Sequence, residues 1–142
     1  MPSRTAQRVG VVAALVIGLT AGRAAAHHAF SAEFDQSKPV KLAGKVTKME
    51  WINPHAWLYM DVVGADGQTV NWSIELGAPN ALVRRGWRKD AVPSGVEIVV
   101  DGYLAKNGKS VANGRTVKFK DGKELFVGSS GTGAPNDPRD NK

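Results

Sequence analysis

The sequence predicts an all-β domain with one short helix, arranged as a small OB-like β-barrel, with a flattened β-sandwich as the alternative. Three observations carry this expectation. Apolar and polar residues alternate across residues 29–127, Asp-Gly and Asn-Gly pairs punctuate the alternation, and one helical signal interrupts it after the third strand. Three strands, a helix and two or three more strands suit a barrel of this size, in which closing the sheet removes most exposed edges.

Val40, Leu42 and Val46, with Gly44 between them, predict a first long strand. Ala56, Leu58, Met60 and Val62 predict a second, and Val70, Trp72, Ile74 and Leu76 a third, joined through the Asp66-Gly67 turn. Pro79 opens a helical segment over 81–85 that Gly86 stops. Val96, Ile98 and Val100 resume the alternation, Asn107-Gly108 turns the chain, Val117 and Phe119 alternate again, and Asp121-Gly122 leads to a last strand over 124–127. Residues 128–142 (GSSGTGAPNDPRDNK) are polar and Gly/Pro-rich, and are expected to form a disordered tail because they cannot offset their ordering entropy.

The other end of the chain reads as a secretory signal over residues 1–26. Arg4 and Arg8 stand without acids before the apolar run GVVAALVIGLTAG, whose 13 residues are too few to span a bilayer. Ala24 and Ala26 supply small residues for cleavage after Ala26, while cleavage after Ala24, with Gly22 as the other small residue, is the alternative. The mature chain then comprises an N-terminal arm over 27–39 within a single domain over 27–127, in the periplasm and without a membrane span. Loss of Arg4, Arg8 and Arg23 lowers the formal charge from +6 to +3, short of the concentrated basic stripe that would mark a nucleic-acid partner. The absence of cysteine removes thiolate chemistry and leaves histidine and methionine as the soft-metal donors.

The 3 histidines fall in two places, His27 with His28 at the expected mature start and His55 in WINPHAW. Cleavage after Ala26 gives His27 a free α-amino group beside its imidazole, and His55 as a third nitrogen would make a T-shaped or square set suited to Cu(II), with His28 converging on the same place if the arm docks. Cleavage after Ala24 would place His27 third from the terminus, where amine, two backbone amides and imidazole make a square-planar copper or nickel site. Copper is therefore the expected cofactor, if there is one. The bland alternative is a solvated terminal pair, with His55 capping the turn after Asn53-Pro54.

A second candidate surface follows from strand parity. With Leu58 and Met60 inward, His55, Trp57, Tyr59 and Asp61 point to the opposite face, where an aromatic pair is unusual for a solvated strand. Trp51, Asn53, Trp57, Tyr59 and Glu75 thus become ligand-binding candidates for a small ligand or a periplasmic protein partner, although Thr69, Asn71, Ser73 and Glu75 also read as the solvated face of strand three. Phe30, Ala32 and Phe34 alternate, so the arm is expected to lie as an extended cover over Trp57 and Tyr59. No catalytic constellation or phosphate loop stands out, so a binding protein is expected rather than an enzyme.

The stretches HHAFSAEFD, KVTKMEWINPHAWLYMDV and GWRKDAVPSGVEIVVDGYLAKNGKSVANGRTVKFKDGKELF resemble a family of short exported bacterial proteins labelled only as a domain of unknown function. The resemblance spans residues 27–127. It implies a periplasmic location and a small β-barrel, and no activity.

Overall fold

The computed structural model describes residues 30–128. The strands are β1 (Phe34–Glu50), β2 (Trp57–Val63), β3 (Thr69–Glu75), β4 (Glu97–Ala105), β5 (Val111–Phe119) and β6 (Glu124–Phe126), with the short helix α1 (Pro79–Arg84) between β3 and β4. The fold is all-β. Antiparallel pairings run in the order β3-β2-β1-β4-β5-β6, and residues 73–75 of β3 pair in parallel with residues 111–113 of β5. That last pairing joins β1, β2, β3, β5 and β4 into a ring of hydrogen-bonded strands, as the OB-like reading requires.

The core lies inside the ring. Leu42, Val46, Leu58, Met60, Ile74, Val100 and Val117 point there, as the two-residue alternation within each strand predicted, and Ala112 joins them. Two bulges keep the phase. Thr47 is skipped between the pairs Val46–Met60 and Lys48–Tyr59, and Arg115 is skipped between Gly102–Gly114 and Asp101–Thr116. The extra residue in β5 lets both Ala112 and Val117 face inward although their spacing is odd.

α1 covers 79–84 rather than 81–85, with Pro79 in its first turn and Gly86 beyond its end at φ +92°. Leu82, Trp87 and Val92 from this crossover join the core. Two expectations are corrected. Residues 34–39 of the expected arm belong to β1, and residues 30–33 are helical, so Phe30 and Phe34 do not form an extended cover over Trp57 and Tyr59. They pack instead on Tyr103, with ring centroids 5.6 Å apart for Phe30–Tyr103 and 5.7 Å for Phe30–Phe34. A helical turn places residues four apart on one side, and that spacing suits Phe30 and Phe34 as well as alternation does. The turn is fastened to the end of β4, where Lys106 N–H donates to the Glu33 carbonyl at 2.9 Å and Lys106 Nζ donates to the Ser31 carbonyl.

Candidate functional site

A pocket of about 310 Å³ opens where the helical turn, the β1–β2 loop and the ends of β2, β3 and β5 meet. Phe30, Phe34, Ile52 and Trp57 supply apolar walls, and Glu33, His55 and Glu75 supply ionisable groups. The loop that carries His55 is fixed just beyond it. Ala56 N–H donates to the Gly77 carbonyl at 3.1 Å, and Leu76 N–H donates to the Ala56 carbonyl at 2.8 Å.

His55 Nδ1 lies 2.8 Å from Glu75 Oε1, with the imidazole 27% exposed and the carboxylate 9% exposed. The same carboxylate oxygen accepts from Asn113 Nδ2 at 3.1 Å, and Asn113 is buried. Glu75 was also readable as part of the solvated face of strand three, and this is corrected by the β3–β5 pairing. Register partner Asn113 sits on Glu75 and takes it out of solvent. His55 is likewise held by a carboxylate rather than by a turn cap.

With Nδ1 engaged, Nε2 is the ring nitrogen left for a ligand. A carboxylate behind an imidazole fixes its tautomer and orientation and makes the free nitrogen a better donor, the usual arrangement behind a metal-bound histidine. The hydrogen bond to Glu75 is also the main reason the His55 pKa stands above the ordinary value of 6.5. Burial opposes the rise, and the charges of Glu75 and Glu33 add to it. A raised histidine pKa contributes stability that is present below about pH 6.5 and is lost as pH rises through the folded-state value. The His55 ring-proton NMR shift of the metal-free protein is therefore expected to titrate above pH 6.5, and Glu75→Gln should bring the midpoint down. A wild-type midpoint at or below 6.5 would contradict the pairing.

The remaining sequence candidates divide. Asn53 and Trp57 line the pocket. Trp51 packs against the main core, so it is not part of an open platform. Tyr59 is half-buried, donates to Glu50 Oε2 at 2.9 Å and carries Lys48 over its ring, which accounts for its place on an outer strand face without a ligand. His27 and His28 lie outside the described residues, as do the signal over 1–26 and all of the expected tail beyond Gly128. Among the described residues no three His, Asp or Glu side chains gather into a metal-binding set. Asn113 and Glu33 escaped sequence reading. Ala112-Asn113-Gly114 has the composition of a turn, and only the parallel pairing with β3 makes it a strand.

Residues 15–114 match the model of a family described as a family of unknown function (DUF6152). No curated protein and no solved structure matches. Among the described residues no helix is long and apolar enough to cross a membrane.

Proposed function

Because the chain belongs to this family of unknown function (DUF6152), its chemistry has to be argued from its own residues, and we propose that it is an exported periplasmic binding protein that holds Cu(II) between His55 and the terminal pair His27 and His28. One observation carries the reading: Phe30 and Glu33 of the N-terminal turn line the same pocket as His55. His27 precedes Phe30 by three residues, at most about 10 Å of extended chain, and the reading requires that this short span bring the terminal imidazoles to His55. Glu75 supports the reading further, as a carboxylate that orients a ligand imidazole. An amine with two or three imidazoles favours Cu(II) over tetrahedral zinc.

The alternative, a metal-free aromatic platform made by Trp51, Trp57 and Tyr59, draws less support, because only Trp57 of the three lines the pocket. The test is expression with the native signal, mass determination of the mature N-terminus, and titration of Cu(II) and Zn(II) into wild type and His55→Ala. Sub-micromolar Cu(II) binding weakened at least tenfold by His55→Ala, a loss of about 1.4 kcal/mol, is expected. Equal affinity in the two proteins would overturn the reading. Since a proton competes for Nε2, the wild-type affinity should fall as pH drops below the raised His55 pKa.

A further inference from the structure

A second pocket, of about 340 Å³, lies on the outer face of the ring across β1, β4, β5 and β6. Its ionisable and hydroxyl groups are Asp101, Tyr103, Arg115, Thr116, Lys118 and Glu124. Four of these are occupied with one another or with a neighbour. Glu124 pairs with Lys118 at 3.2 Å, and Asp101 pairs with Lys41 at 3.7 Å and accepts from Thr116 Oγ1 at 3.4 Å. Arg115 differs. Its Nε is buried without a hydrogen-bond partner, and its guanidinium makes no ion pair among the described residues.

The backbone explains how an arginine comes to be there. Arg115 is the extra residue of the β5 bulge, between the pairs Gly102–Gly114 and Asp101–Thr116, and its carbonyl accepts from Val127 N–H at 2.8 Å. A bulge redirects one side chain relative to the alternating row, and bulges concentrate where such redirection serves a site. A buried guanidinium N–H left without an acceptor is costly, by more than a neutral donor would be. Arg115 as a whole is only half-buried and lines the pocket, so the rest of the same guanidinium is where a ligand oxygen would meet it. The lining carries two acids and two bases; Lys118 matches Glu124 and Lys41, from outside the pocket, matches Asp101, so among the described residues Arg115 is the lining cation without an acid.

We propose that this pocket binds a small oxyanion, a phosphate or carboxylate group, held by the Arg115 guanidinium at the pocket wall. The planar guanidinium fork matches two oxygens of such a group, and a lysine ammonium cannot reproduce that geometry. The site is separate from the histidine pocket and takes the opposite charge of ligand.

The experiment follows the Arg115 Nε–H resonance of the full processed protein while inorganic phosphate, and separately acetate, is added at constant ionic strength set with chloride. Saturable movement of that resonance with one of the two anions is expected, phosphate alone pointing to a phosphoryl ligand and acetate to a carboxylate. Arg115→Lys, which keeps the charge and loses the fork, should weaken binding at least tenfold, as read from neighbouring backbone amides. His55→Ala should leave it unchanged, which separates this site from the proposed copper site. A resonance that stays fixed up to millimolar anion overturns the proposal, as does equal binding by Arg115→Lys.

Discussion

Glu75→Ala is expected to weaken Cu(II) binding by roughly ten- to a hundredfold, the usual effect of removing the group that orients a ligating histidine, and to destabilise the metal-free protein by about 1–3 kcal/mol. Both effects have one cause. A single carboxylate oxygen accepts from His55 Nδ1 and from Asn113 Nδ2, and Asn113 is buried, so truncation leaves a buried amide without its acceptor and an imidazole without its tether. Glu75→Gln separates the two consequences. It preserves volume and an acceptor oxygen, so most of the stability should return in urea unfolding. The negative charge is gone, so the His55 pKa should fall back toward the ordinary range and the imidazole should become a poorer donor. Competition of each variant against a copper chelator measures the first effect. Unchanged copper affinity in Glu75→Ala would mean that any copper bound sits on the terminal histidines alone.

The dependence of the site on Glu75 and Asn113 marks the boundary of what the residues reveal in one dimension. Strand two and strand three were legible because Leu58, Met60 and Ile74 alternate cleanly around an Asp-Gly turn, and burial of one face of a strand is a local property of its pattern. His55 was legible because so few histidines are present and it follows an Asn-Pro corner. Glu75 was ambiguous, because parity assigns it to an outer face and only the distant Val111–Asn113 segment decides what covers that face. The segment Phe30–Phe34 misled in a different way. A spacing of four with an apolar residue midway satisfies both a strand and a helical turn, and the choice is made by Tyr103 and the Lys106 hydrogen bonds, which lie some seventy residues away. Closure of the ring thus positions the site, and closure is a non-local event.

Trp87→Ala is expected to cost about 3–5 kcal/mol, the range for deleting a large aromatic side chain from a core. Trp87 is 1% exposed, packs on Phe119 at 6.4 Å between ring centroids, and shares the core cluster with Leu82, Ala56 and Leu76. Phe119 ends β5, so the cavity would open where the crossover packs against the far end of that strand from Asn113. In a domain of about 100 residues each kcal/mol shifts the melting temperature by roughly 4–8 °C, and the whole stability of such a domain is about 5–15 kcal/mol. Loss of cooperative unfolding near physiological temperature is therefore the expected calorimetric result. Trp87→Phe distinguishes packing from hydrogen bonding. The indole Nε1 is buried with no partner, so phenylalanine removes an uncompensated donor along with part of the ring, and the two changes oppose each other. The phenylalanine variant should lose less than half of what alanine loses. If it loses as much, the volume of the indole rather than its aromatic character holds the crossover against the ring. Gly86 and Trp87 would then serve the fold rather than the pocket: the glycine ends the helix at positive φ and the indole fills the core where the crossover meets Phe119.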